Sequence, residues 1–130
     1  ALCGGCSLKD VSGLGKLPFW IIHGTADRAV PVKQSKVVVD KLKRDGNDSR
    51  LIYDWWQGAN HGMPARVFYM KKTYQWLFSH TLNDPDRPVN RDIDISMGDV
   101  RNAYDGVNRN APKPELIDGP SVIKDEGNEY

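Results

Sequence analysis

The run Phe19-Trp20-Ile21-Ile22-His23 is aromatic and β-branched up to its histidine, with Pro18 before it and Gly24 after it. It is too short for a helix and lacks a polar face, which predicts a strand buried on both sides. After Pro31 the pattern changes period. Ser35, Val38, Val39 and Leu42 fall on one helical face while Lys33, Lys36, Lys41 and Lys43 lie outside it, and Gly46 is placed to stop the helix. Residues 50–56 predict a second strand, in which Trp55 and Trp56 point to opposite faces. Pro64 suits a first helical turn, and Val67, Met70, Tyr74 and Leu77 then repeat at helical spacing toward His80. The order β-α-β-α predicts an α/β fold of parallel strands with helical crossovers. Residues 1–6 read as the end of a preceding strand.

Composition divides the chain in two. Residues 1–82 hold all four Trp and all three Phe, whereas 83–130 hold five of the eight Pro and neither Trp, Phe nor Cys. The polar Pro/Asn/Asp-rich extension, 83–130, is expected to have marginal structure of its own, because it has little apolar area to set against its ordering entropy. Within it, Ile93, Ile95 and Met97 alternate with polar residues and predict a half-buried strand over 91–97. The balance of 18 Lys plus Arg against 17 Asp plus Glu leaves a net charge of +1. That argues against nucleic acid as a partner, which would call for clustered Lys and Arg. The longest apolar run, residues 19–22, is far below the ~20 residues of a membrane span.

In a parallel sheet, functional groups gather at the carboxyl ends of the strands. The first predicted strand is followed by His23-Gly24-Thr25-Ala26-Asp27, and the second by Gln57-Gly58-Ala59-Asn60-His61-Gly62. Neighbouring strands would bring Asp27 and His61 to one edge. A carboxylate bonded to one imidazole nitrogen fixes the tautomer and leaves the other nitrogen free as a general base.

Together, the segment from Leu17 to Asp27, the Val30-Pro31-Val32 that follows and Gly58-Ala59-Asn60-His61-Gly62 resemble the carboxyl-terminal part of an α/β-hydrolase. The likeness is to the esterase/phospholipase and prolyl-oligopeptidase-like branches. It covers residues 1 to about 82, and its order of Asp then His matches the Ser…Asp…His order of that fold. The resemblance implies the late strands and helices of a doubly wound hydrolase sheet, with Asp27 as triad acid and His61 as base. Ala1-Leu2-Cys3-Gly4-Gly5 is similar to the strand end that follows the nucleophile helix. The implied reaction is hydrolysis of a small ester or peptide substrate through an acyl-enzyme, with no metal or organic cofactor. The Gly-x-Ser-x-Gly elbow is absent, and Ser7 and Ser12 lack its glycine spacing. The chain is therefore expected to be the carboxyl-terminal portion of a hydrolase, inactive without an upstream half. Its start at Ala1, inside a strand end, suggests truncation or processing.

Other residues compete for roles. Asp10 is a reserve triad acid, and Asp54, within a strand, is expected to pair or face solvent. His23 reads as a packed strand-end histidine supporting the acid loop, and His80 as a cation at a helix carboxyl end. Cys3-Gly4-Gly5-Cys6 forms a C-x-x-C, so the alternative to a hydrolase is a thiol redox module or a non-catalytic hydrolase-like domain. Completing a zinc site with His23 or His61 would be contrived, since no second Cys pair exists.

Overall fold

The computed structural model describes residues 1–81, 83, 89–93 and 95–108, with only the backbone of 104–108. Two strands, β1 (Phe19–Gly24) and β2 (Leu51–Trp56), pair in parallel, with Phe19 opposite Leu51 and Gly24 opposite Trp56. Leu2 forms a parallel bridge to Ile22, with Cys3 N–H donating to the Ile22 carbonyl, so the first residues lie along the free edge of β1. Helix α1 (Lys33–Arg44) makes the crossover between the strands.

Alternation along the strands divides the core into two layers. Ile21, Leu51 and Trp55 face α1 and pack with Val38, Val39 and Leu42. Trp20, Ile22, Ile52 and Trp56 face the opposite layer, built from Val67, Met70 and Trp76. Coverage of both faces explains why the strands are mostly apolar instead of alternating, with His23 and Asp54 the buried exceptions. Burying one Val or Leu side chain of α1 contributes about 1.5–3 kcal/mol. The helix then stops as its sequence demands. Gly46 takes φ +69°, its N–H donates to Lys43, and Asn47 N–H donates to Leu42. This is the paired closure of a Schellman motif.

The last helical stretch departs from expectation. Instead of one helix there is a 3-10 helix over Met63–Tyr69, a break at Met70, whose backbone is extended, and then α2 (Lys71–Phe78). The break resets the helical phase. Val67, Met70, Thr73 and Trp76 turn inward, while Tyr74 and Leu77, expected on the buried face, are exposed. Trp76 accounts for the choice of phase. Its ring packs edge-on against Trp20 at 5.4 Å, and its indole N–H donates to the Asn90 carbonyl at 2.9 Å.

The expected strand over 91–97 does not form among its described residues. Ile93 and Ile95 are nevertheless buried, joining Val89, Val100 and Ala103 in the Trp20 layer. The segment beyond residue 82 therefore contributes to the core of the first 82, which its composition does not suggest. Helix α3 (Met97–Asn108) begins with a reciprocal cap: Asp99 N–H donates to Ser96 Oγ at 3.0 Å, and Ser96 N–H to Asp99 Oδ2 at 2.8 Å. Pro85, Pro88, Pro112, Pro114 and Pro120 lie outside the described residues. Among the described residues, no helix is long and apolar enough to cross a membrane.

Candidate active site

The carboxyl ends of β1 and β2 run directly into two loops that are tied together. Thr25 N–H donates to the Trp56 carbonyl at 3.0 Å, and Ala26 N–H to the Ala59 carbonyl at 3.1 Å. In return, Gly58 N–H donates to Thr25 Oγ1 at 2.8 Å, from a glycine at φ +71° that a side chain would strain. Asn60 Oδ1 accepts from Gly62 and Met63 N–H, turning the second loop back on itself.

These ties bring Asp27 and His61 into contact across 34 residues of sequence. His61 Nδ1 donates to Asp27 Oδ2 at 2.7 Å. The aspartate side chain is fully buried, whereas that of His61 is 52% exposed. Asp27 Oδ1 accepts from Ala29 and Val30 N–H, each at 2.9 Å. Burial alone would raise the pKa of this carboxyl. The N–H of Val30, His61 and the N–H of Ala29 outweigh burial and hold it at about 2, so the group is a carboxylate at neutral pH. Among the described residues, His61 Nε2 has no hydrogen-bond partner. The arrangement leaves an oriented imidazole whose outer nitrogen can take a proton. A cavity of about 560 Å³ opens beside His61, lined largely by apolar groups that include Leu2, Trp20, Phe68 and Trp76.

The remaining sequence candidates fall elsewhere. Asp10 is exposed and accepts from Ser12 N–H at 2.9 Å, ahead of the 3-10 helix Ser12–Lys16. Asp54 is buried and accepts from the Trp20 indole at 2.8 Å. His80 Nδ1 bonds the Trp76 carbonyl at 2.7 Å, closing the end of α2. His23 is completely buried beneath the loop that carries Asp27. Its Nε2 donates to the Val30 carbonyl at 2.7 Å and lies 3.2 Å from Asp27 Oδ2, while its Nδ1 lies 2.7 Å from Ser35 Oγ.

Cys3 and Cys6 are both free thiols. Cys3 is buried at φ +46°, with its sulfur between Gly24 N–H and the Asp27 carboxylate. Burial foremost, and then the neighbouring carboxylate, push the thiol above its usual range against the opposing pull of Gly24 N–H. That is the reverse of what an attacking redox thiolate needs. Cys3, His23 and Asp27 hold three potential metal-ligating atoms within 4.8 Å of one another. Both nitrogens of His23 are already hydrogen-bonded, both carboxylate oxygens of Asp27 accept hydrogen bonds, and the thiol retains its proton, so the trio does not suit a metal ion.

Three contributing residues carry no role in the sequence reading. Thr25 and Asn60 shape the loops, and Ser35 joins His23 to the first residues of the chain by donating to the Gly4 carbonyl at 2.8 Å. Thr25 and Asn60 lie inside the two glycine-containing loops that mark the site, but nothing in spacing alone distinguishes them from ordinary turn residues.

Comparison with curated proteins and with solved structures finds no match. A family model does match, over residues 8–84, and is that of the prolyl oligopeptidase family. The matched segment covers more than half the chain and contains both strands, α1, α2 and both loops. On that match the chain belongs to the prolyl oligopeptidase family, a serine hydrolase-like family.

Proposed function

We propose that this chain supplies the acid and the base of a Ser-Asp-His triad that hydrolyses ester or peptide bonds through an acyl-enzyme. The observation that carries the reading is the 2.7 Å contact between His61 Nδ1 and Asp27 Oδ2, with Nε2 directed away from it. Asp27 holds the Nδ1–H tautomer and stabilises the imidazolium. Nε2 then takes the proton of a serine hydroxyl as it attacks the acyl carbon, and returns it to the leaving group as that bond breaks. Water attacks the acyl-enzyme in the second half-reaction under the same base.

The serine itself comes from a Gly-x-Ser-x-Gly elbow outside these 130 residues, since no such motif occurs among them. On this reading the chain needs an upstream hydrolase half, and alone it turns over no substrate. The membership in a serine hydrolase-like family supports the chemistry. The protonated, buried Cys3 thiol weighs against the redox alternative. In a protein joining this chain to its elbow, His61→Ala should lower kcat for an ester substrate by about three orders of magnitude or more. Undiminished turnover in that variant, or turnover by the isolated chain, would overturn the proposal.

A further inference from the structure

The strongest unabsorbed feature is the buried ring of His23. Ser35 has one hydroxyl hydrogen, and the Gly4 carbonyl, which can only accept, receives it at 2.8 Å. Toward His23 Nδ1, at 2.7 Å, Ser35 Oγ is therefore an acceptor. On the other side of the ring, the Val30 carbonyl at 2.7 Å from Nε2 can also only accept. Both ring nitrogens must then donate, and an imidazole that donates from both is a cation.

An unpaired cation in this place would be costly, because the side chain has no solvent contact. The compensating charge is present: Asp27 Oδ2 lies 3.2 Å from Nε2, and the aspartate side chain is also fully buried. The same oxygen accepts from His61 Nδ1 at 2.7 Å. The groups surrounding His23 are Asp27 in the acid loop, Ser35 on α1, and Cys3 beside β1, whose thiol stays neutral. Asp27 is thus the charge that His23 meets directly, and His61 lies on the far side of it.

We propose that His23 is a positioning residue that shares Asp27 Oδ2 with His61 from a doubly protonated ring, and thereby tempers the basicity of His61. The two imidazoles meet on one oxygen, so their bonded nitrogens are at most about 6 Å apart. At that separation a fixed positive charge disfavours a second one. His23 holds the carboxylate in place while offsetting part of its pull on His61, which keeps the outer ring able to release its proton. The importance of this for catalysis rests on His61 being the base, but the protonation of His23 does not.

The test is nitrogen-15 imidazole spectroscopy on the full chain, labelled at histidine. In the wild type, both His23 nitrogens should show protonated shifts at neutral pH. A singly protonated His23 ring overturns the proposal, and this holds even if every variant fails to fold. In His23→Gln, which keeps a donor without the charge, the titration midpoint of His61 should rise. An unchanged midpoint in a folded variant also overturns it. Neither readout requires turnover, so loss of the hydrolase assignment and loss of this one remain separate outcomes.

Discussion

Gly24 and Ala59 approach so closely that a Cβ built on Gly24 would lie 2.2 Å from the Ala59 carbonyl oxygen and 2.7 Å from its carbon. The obstructing atoms are backbone, on the loop that carries His61, and no rotamer change relieves the overlap. Gly24→Ala should therefore push the two loops apart and destabilise the fold by about 3 kcal/mol or more. The His61–Asp27 contact should be lost with it. Urea denaturation measures the first effect and the Nδ1–H resonance of His61 the second; an alanine variant of native stability would contradict the packing described.

Acid should expose the stability invested in Asp27. Its carboxyl is held at about 2 in the folded chain, against 3.8 for an ordinary aspartate, so the unfolded state binds its proton first as pH falls. The stabilisation is complete above about pH 4 and is lost between there and about pH 2. Asp27→Asn should be less stable than wild type at pH 6 and should converge toward it over that acid window. Denaturation midpoints measured at intervals from pH 6 to pH 2.5 check this, and parallel curves for the two proteins would argue against it.

Thr25→Val keeps the shape of the side chain and removes the acceptor for Gly58 N–H. The bond is solvent-accessible, so the cost should be modest, about 0.5–1.5 kcal/mol. The sharper consequence is local. Amide hydrogen exchange at Gly58 should accelerate, while exchange within α1 changes by no more than the loss in global stability allows.

Trp76→Ala removes a ring that packs on Trp20 and an N–H that holds the Asn90 carbonyl. A loss of about 3–5 kcal/mol is expected from the cavity alone. Because Asn90 loses its anchor, protease cleavage between residues 89 and 93 should also become faster than in a core variant such as Leu42→Ala. Equal cleavage rates in variants matched for stability would show that the indole N–H contributes nothing to holding that segment.

Much of this architecture is readable from residue order. Pro18 and Gly24 bracket β1, Gly46 terminates α1, and consecutive tryptophans at 55 and 56 divide between the two core layers as strand alternation requires. The encounter of Asp27 with His61 follows from two loops leaving adjacent parallel strands. What periodicity misread was the region after Pro64, where the extended backbone at Met70 shifts the buried face from Tyr74 and Leu77 to Thr73 and Trp76. A period carried across an unmarked break yields the wrong phase. Helix α3 escaped for a different reason. Its cap, Ser96-Met97-Gly98-Asp99, is a recognisable start signal, but it lies in a stretch whose polar composition argues against order. Ser35 was legible only as a member of the buried face; that its hydroxyl links His23 to Gly4 depends on a third segment of chain.

The ties at Thr25, Ala26 and Gly58 have a further consequence for how such a site can be altered. Asp27 and His61 lie within one contiguous stretch, residues 23–61, whose loops brace each other and whose His23 meets Asp27 at 3.2 Å. Their mutual distance is therefore insulated from rearrangements in the far wall of the cavity. A designer wishing to change what the site accepts could rebuild the Phe68 and Trp76 side of the cavity while transplanting this stretch as one piece. The converse also holds. Shortening or lengthening either loop by one residue would put Asp27 and His61 out of register, and no compensating change in the cavity wall would bring them back.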